Sequence, residues 1–389
     1  MVLRNTLIED NEINRLRERI GKELRVYQHN TAAAQDSVTW MAYAVGDDNP
    51  LWLDAGYAAQ TRYGCTLAPP YFLYSVLIPS GALAGGLPGV HSFFGGNEWR
   101  FFKPIRVNTP VSASAKLVDV TEKQGAYAGR TVVVTVEATY KDDRGVVLAT
   151  ARGWSLRTER EAARQRGKYA KFPPPAYTPE QSKQIEEICS SRKPRGATLL
   201  YWDEVAEGDE LPILAKGPLA REDMEAYIAA TGSVKSTYYR VKDFRKHPAF
   251  YFSDPYTNNW EPVSMVNLYA YAAEAVGIPR PYDMGSQRIC WLAHMLTGWM
   301  GDDGFLEKLD VKVVRPNLFG ETQFCKGKVA GKSVEGERNL VDIDVWCENQ
   351  RGEKTTVGRA TVSLLAKRVV GHWSLDEESV GVPPIKDDE

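Results

Sequence analysis

Apolar residues recur at helical spacing just before residue 46, and a polar loop follows them. The run 37–44 places apolar side chains on one helical face, and it begins with a serine that can cap a helix. Gly46 is a natural end for that helix, and Asn49-Pro50 forces an extended or turn conformation. The pattern predicts a rigid loop at a helix exit that presents Asp47, Asp48 and Asn49. An ordinary helix end without a chemical role fits the same spacing.

The clearest β pattern lies between residues 97 and 157. Four runs there are predicted strands, separated by turn residues: 97–104, 111–120, 130–140 and 146–157. A shorter strand candidate lies at 24–28. The apolar run 71–78 follows two prolines, which suit the first turn of a buried helix. A buried helix followed by antiparallel strands is typical of an α+β domain.

The second half of the chain repeats the first. A helix pattern at 219–230 matches the one before residue 46, and a second buried helix is predicted at 287–299. The turn at 143–145 recurs at 350–352, and Arg152 matches Arg359 at the same offset. Matching landmarks at one offset indicate an internal duplication.

This repeat predicts two domains joined by a linker. The first domain is predicted at 1–157, a charged, proline-containing linker at 158–200, and the second domain at 201–389. The second domain contains an aromatic-rich insertion, 233–262, without a counterpart in the first. This insertion either closes over a pocket or simply covers the edge of the sheet.

Composition and charge narrow the class of protein. The 389 residues are 43% hydrophobic and 25% charged, as in ordinary globular proteins. A formal net charge of -2 gives no basic surface for nucleic acid. Five scattered cysteines show neither zinc-ligand spacing nor a disulfide framework, which favours a reducing compartment. The charged N-terminus is unlike a signal peptide, and no apolar run reaches the roughly 18 residues of a membrane helix. We therefore expect a cytoplasmic protein.

The loop sequence GDDNPLW resembles the GD-x-NP-(I/L)-H signature of the MaoC-like dehydratases, and in particular their two-domain, FAS1-like dehydratase branch. Asp47, Asn49, Pro50 and Leu51 fall on the motif, whereas Trp52 stands where the motif carries its catalytic histidine. Proteins of this family have the hot-dog fold, a helix wrapped by an antiparallel sheet. The resemblance implies an α+β chain of two hot-dog domains in tandem, packed as a pseudo-dimer with one continuous sheet.

The same resemblance implies the hydration of a 2-enoyl-CoA to a 3-hydroxyacyl-CoA, or the reverse, without a metal or other cofactor. That reaction needs a base for water, an acid for the α-carbon and donors for the enolate oxygen. The motif assigns acid–base chemistry to Asp47 and a loop-shaping or binding role to Asn49. The indole of Trp52 only donates hydrogen bonds, so another histidine would have to replace the missing one. His91 is slightly preferred to His294, which an apolar helix would bury as an ordinary core residue.

Three further residues are candidates for substrate contact. Tyr71 has the first backbone N–H after the prolines of the first buried helix, and Gly285 and Ser286 directly precede the second and keep their N–H groups. A helix start is a favourable place for an oxyanion donor. The aromatic insertion suggests a bulky acyl group.

Two other classes of function stay open at this point. Loss of the motif histidine also fits a non-catalytic thioester-binding subunit of a hetero-oligomeric hydratase. The hot-dog fold also occurs in acyl-CoA thioesterases, and fold alone does not decide function. The expected ligand is an acyl-CoA thioester in each case. We expect a homo-oligomer such as a dimer, or a hetero-oligomer with a second hot-dog subunit.

Overall fold

A computed structural model describes residues 7–169, 172–233 and 236–367. The α-helices are α1 (Asp10–Arg17), α2 (Gln35–Val45), α3 (Pro50–Leu53), α4 (Ala55–Ala58), α5 (Leu73–Val76), α6 (Arg160–Arg166), α7 (Pro179–Ser191), α8 (Arg221–Ala230), α9 (Thr237–Lys246), α10 (Ala270–Glu274) and α11 (Gly285–Met300). The strands are β1 (Leu67–Ala68), β2 (His91–Phe101), β3 (Ile105–Arg106), β4 (Ser112–Gly125), β5 (Gly129–Lys141), β6 (Val147–Thr158), β7 (Leu214–Lys216), β8 (Tyr251–Ser253), β9 (Trp260–Pro262), β10 (Phe305–Val313), β11 (Gln323–Glu335), β12 (Arg338–Asn349) and β13 (Lys354–Leu364).

One antiparallel sheet crosses both halves of the molecule. Over the described ranges it has nine strands in the order β4-β5-β6-β2-β10-β13-β12-β11-β7. The halves meet where β2 pairs with β10, from Arg100 opposite Lys308 to Gly96 opposite Lys312. This continuous sheet and the helices that it covers confirm the predicted α+β, double hot-dog fold.

Helix α11 lies at the centre of the molecule. All but one of its residues are buried, because the helix contacts β10, β11, β12 and β13 as well as β2, α2 and the start of the first buried helix. A helix that is buried on all sides is typical of the centre of a protein. Helix α11 belongs to the second half of the chain but contacts both halves.

Two elements of the first half differ from the sequence-based expectation. The buried helix predicted at 71–78 is short, a 3-10 turn at Pro70–Phe72 followed by α5. Residues 24–28 form no strand, and the nearest pairing is a single bridge between Glu23 and Lys116. Long elements with strong alternation, such as β5, have the predicted position to within a few residues.

The segments between the repeats have structure of their own. The range 158–200 contains α6 and α7, and the described part of the insertion contains α9, β8 and β9. The predicted second domain extends to residue 389, and its part beyond 367 lies outside the described residues. None of the helices in the described ranges is long and apolar enough to cross a membrane.

Candidate active site

The loop 46–49 is fixed at both ends by helix capping. Helix α2 ends at Gly46, which has a left-handed φ of 71°. The backbone N–H of Asp47 donates to the carbonyl of Ala42 at 2.9 Å, as expected of a helix C-terminus. Asn49 caps the next helix, α3, because its side-chain oxygen accepts from the N–H of Leu51 at 3.0 Å. Asp47 therefore sits between two capped helices on a short, well-defined loop.

Three donors from the first domain hold the carboxylate of Asp47. The hydroxyl of Tyr71 donates to Oδ2 at 2.8 Å, and the indole Nε1–H of Trp52 donates to the same oxygen at 3.2 Å. The backbone N–H of Asn49 donates to Oδ1 at 3.1 Å. Trp52, which stands at the motif histidine position, is thus a hydrogen-bond donor to the motif aspartate.

Helix α11 brings His294 to the same carboxylate from the second domain. Its Nε2 lies 3.3 Å from Oδ1 of Asp47, and both side chains are fully buried. The two atoms are close but not aligned as a hydrogen bond, and neither ring nitrogen of His294 has a hydrogen-bond partner among the described residues. Of the two predicted histidines, His294 therefore lies beside Asp47 and His91 does not, while the slight preference for His91 as the replacement base stays a prediction.

Burial and nearby cations set the protonation of this dyad. Burial raises the pKa of Asp47 above its usual value, against opposing effects of Arg192, Tyr71, the Asn49 N–H and Lys216. Burial also lowers the pKa of His294 well below its usual value, and Lys216 and Arg192 act in the same direction. The imidazole is therefore neutral near pH 7 and can accept a hydrogen bond or a proton.

Two cations near the dyad come from outside the first domain. Lys216 lies in the predicted second domain, and Arg192 lies in the predicted linker. The Nζ of Lys216 donates to the carbonyls of Val45 and Gly46 at 2.8 and 2.9 Å. Arg192 pairs with Asp48 at 2.8 Å. No motif or periodicity marks either residue in the sequence, because their partners lie far away along the chain. The sequence analysis missed both.

Asp47, Asp48 and His294 together have ligand atoms within 4.8 Å of one another, close enough to hold a metal ion. Two carboxylates and an imidazole are suitable ligands. Arg192 already pairs with Asp48, however, and the positive charges of Arg192 and Lys216 oppose a cation at this position. The donors fit acid–base chemistry better than metal binding, and the expectation of no metal stays a prediction.

A small cavity lies near this dyad, although neither Asp47 nor His294 lines it. It has a volume of about 50 Å³ and is lined by Asn49 and Trp52 from the motif and by Thr297 and Met300 from the last turn of α11. Such a volume holds a few water molecules. A cavity of this size next to the motif loop has room for water but not for an acyl chain.

The other predicted site residues line a different and larger cavity. Its volume is about 620 Å³, and His91, Gly285 and Ser286 line it, whereas Asp47 and His294 do not. His91 Nε2 lies 2.7 Å from the hydroxyl of Tyr282. The predicted residues are therefore divided: Asp47, His294, Asn49, Trp52 and Tyr71 come together, while His91, Gly285 and Ser286 lie at the second cavity.

Comparison with known proteins agrees with this architecture. Residues 19–151 match the family model described as FAS1-like, dehydratase domain region. A comparison of the sequence with curated proteins finds no match.

Among solved structures, one named MaoC-like dehydratase has 18% identity and a TM-score of 0.61, covering 90% of this chain and 99% of its own. A MaoC domain protein dehydratase from Chloroflexus aurantiacus has 10% identity and a TM-score of 0.55, with 90% and 96% covered. A conserved Mycobacterium tuberculosis protein described as a double hot-dog fold has 12% identity and a TM-score of 0.54, with 88% and 96% covered. Residues 19–151 are therefore similar to the FAS1-like dehydratase domain region, and the whole chain has the double hot-dog fold seen in MaoC-like structures.

Proposed function

We propose that the protein is a hydro-lyase that adds water to a 2-enoyl thioester, or removes it from the 3-hydroxyacyl thioester. The observation that carries this proposal is the 3.3 Å contact between His294 of the second domain and Asp47 of the first. It supplies an imidazole beside the motif aspartate, although the motif position itself holds Trp52. The match of residues 19–151 to a dehydratase family supports the same class of reaction.

The dyad has the groups that this chemistry needs. A water molecule between Asp47 and His294 would hydrogen-bond to the open imidazole nitrogen and lose a proton to the carboxylate as its oxygen bonds to C3. The same carboxyl group would then return the proton to C2 of the enolate, so that Asp47 ends each cycle as it began. Burial favours this exchange, because a carboxylate with a raised pKa accepts a proton more readily. Asn49, which lines the small cavity, is the candidate donor to the thioester oxygen.

The substrate class follows from the resemblance and the size of the site. A CoA thioester is the proposed substrate because the motif is that of enzymes acting on such thioesters. The roughly 50 Å³ near the dyad favours short acyl groups, and a bulky one requires Trp52 and Met300 to move aside. A panel from crotonyl-CoA to aryl 2-enoyl-CoAs covers both cases.

The test is the loss of enoyl absorbance with the purified protein and variants of the dyad. We expect Asp47→Asn and His294→Ala each to lower kcat/KM by about a hundredfold or more, the effect typical of losing an acid–base group. Asp48→Asn is the matched control. This substitution removes the same charge one residue away, from a side chain that is 71% exposed. His91→Ala should retain activity, because His91 lines the other cavity.

Four outcomes separate the alternatives. Full activity of Asp47→Asn would overturn the proposal. Loss of activity in His91→Ala, together with retained activity in His294→Ala, would place the reaction at the second cavity instead. Release of free thiol from saturated acyl-CoA would indicate a thioesterase. Binding of a thioester without turnover would favour a subunit that needs a second hot-dog protein for catalysis.

A further inference from the structure

The larger cavity is lined by neither residue of the dyad, Asp47 or His294. Both halves of the chain line it: Phe93 and Tyr127 contribute from the first domain, and Tyr282 and Val313 from the second. Its volume of about 620 Å³ falls within the range of small-molecule binding sites. Apolar and aromatic walls of this kind bind an apolar ligand body.

The charge of this cavity is strongly one-sided. Its described lining contains six cationic side chains, Lys123, Arg157, Arg160, Lys168, Arg288 and Arg315, and one acidic side chain, Asp283. That acid is already used, because Asp283 pairs with Arg288 at 2.7 Å. The cavity therefore has positive charge that the lining itself does not neutralise.

Two arginines carry this unbalanced charge into the interior. Arg160 is only 3% exposed, and none of its three guanidinium nitrogens has a hydrogen-bond partner among the described residues. Arg157 is 1% exposed, and it donates from Nη2 to the carbonyl of Gly86 at 2.8 Å while its Nε has no described partner. Burying a charged group without a partner is costly, so such groups in folded proteins are normally paired.

Neutral polar groups without partners also line this cavity. Nδ1 of His91 and the hydroxyls of Ser92 and Thr158 are also buried without a hydrogen-bond partner among the described residues. Burial, Arg160 and Arg157 together lower the pKa of His91 to about 3, which places both arginines close to its ring. Burial lowers the pKa of each arginine to about 10, so both stay charged near pH 7. The cluster presents donors and fixed positive charge to one place.

We infer that this cavity is a second ligand site, which binds an organic carboxylate with an apolar body. The carboxylate would pair with Arg160 and Arg157, whose planar guanidinium groups suit such an anion. The apolar body would lie against Phe93, Tyr127 and Tyr282. A monoanion fits better than a phosphate, because most of the wall is apolar.

The experiment is a calorimetric titration of the whole protein with phenylacetate. Phenylacetamide is the neutral probe of the same shape, and phenyl phosphate tests a dianion. We expect phenylacetate to bind, phenylacetamide not to bind, and Arg160→Gln to weaken phenylacetate by about tenfold or more, the effect of losing a hydrogen-bonded charge. Arg164→Gln on the same helix is the matched control, since Arg164 is 61% exposed and pairs with Glu161.

A second readout distinguishes a ligand-binding arginine from a structural one. Without ligand, Arg160→Gln should melt at or above the temperature of the wild type, because the substitution removes a buried charge that no described residue pairs. Phenylacetate should raise the melting temperature of the wild type but not of this variant. Absence of binding, equal binding of phenylacetamide, tighter binding of phenyl phosphate, or a large loss of stability in Arg160→Gln would each overturn the inference.

The carboxylate has two sources, a free acid or the far end of the substrate's own acyl chain. If it is the substrate's, phenylacetate competes with an ω-carboxy 2-enoyl-CoA, and Arg160→Gln raises KM for that substrate but not for crotonyl-CoA. If the carboxylate belongs to a free acid, phenylacetate does not compete with the ω-carboxy substrate and turnover continues. This last step rests on the proposed function, whereas the titration does not: Asp47→Asn should bind phenylacetate like the wild type.

Discussion

At the scale of single residues, Tyr71 controls the ionisation of the proposed catalytic carboxylate. Its hydroxyl donates to Asp47 at 2.8 Å, and that bond lowers the pKa of Asp47 against the larger, opposite effect of burial. The proposed mechanism needs the carboxylate form, so activity should fall as the pH decreases through the pKa of Asp47. Loss of the Tyr71 donor raises that pKa.

We therefore expect Tyr71→Phe to move the acid limb of the kcat/KM profile to higher pH. The measurement is the pH dependence of enoyl-CoA hydration, which reports the ionisation of the free enzyme. Tyr74→Phe is the control from the same short helix, because its hydroxyl bonds to Asn97 at 2.7 Å and not to Asp47. An acid limb that stays at the same pH in Tyr71→Phe would argue against Asp47 as the ionised base.

Half of the candidate dyad could be predicted from the sequence. Asp47 and Asn49 follow from a local motif, whose helix end and proline turn are set by neighbouring residues. His294 lies far along the chain and is surrounded by apolar residues, so its local pattern is that of a core histidine. Its nearness to Asp47 depends on how the two domains pack. Arg160 has no local signal either, since only its burial and lack of a partner distinguish it.

At the scale of elements, Lys216 of the edge strand β7 joins the second domain to the end of α2. Its Nζ bonds to the carbonyls of Val45 and Gly46, where a cation also offsets the negative end of a helix. Burial lowers the pKa of Lys216 from its usual 10.5 to about 8, with Asp47 acting in the opposite direction. Between these values the unfolded chain binds more protons than the folded one, so this group makes the protein more stable as the pH rises.

We predict that the free energy of unfolding of the wild type increases relative to that of Lys216→Met as the pH rises from about 8 to 10.5. Urea unfolding at several pH values measures this difference. The control is Lys183→Met, which removes the same charge from a side chain that is 77% exposed. A pH-independent difference between the wild type and Lys216→Met would mean that Lys216 keeps an ordinary pKa.

Elements with strong local patterns were predictable, and those that depend on distant partners were not. Apolar and polar residues alternate clearly in strands β5 and β6, and a hairpin turn at residues 142–145 joins the two strands. The run 24–28 has a similar local pattern, but the only pairing beside it is the bridge from Glu23 to Lys116. The first buried helix is short because the cap of α5, Leu77, already has an extended conformation. These differences are set by tertiary packing rather than by local preference.

At the scale of the whole molecule, the proposed site depends on the junction between the two domains. Asp47 lies on one side of this junction, and α11 carries His294 from the other. The junction itself is the pairing of β2 with β10, supported by an ion pair between Arg100 and Asp310. Gly96 lies in this pairing with a φ of 146°, and a Cβ there would lie 2.2 Å from the carbonyl oxygen of Val311.

Gly96→Ala should therefore separate the domains at their shared strands. We expect a loss of about 3 kcal/mol or more in the free energy of unfolding, because both the backbone conformation and the space at Gly96 exclude a side chain. Gly145→Ala is the matched control: it also has a positive φ, but a Cβ there meets nothing within 4 Å, so its cost should be about 1 kcal/mol.

The same pair of variants tests whether catalysis needs both domains in register. Helix α11 packs on both β2 and β10, so a shift of these strands changes the distance from His294 to Asp47. Hydration by Gly96→Ala should then fall below that of Gly145→Ala even under conditions in which both variants are fully folded. Equal activity per folded molecule would mean that the dyad does not depend on this junction, and that α2 and Lys216 alone hold the Asp47 loop against α11.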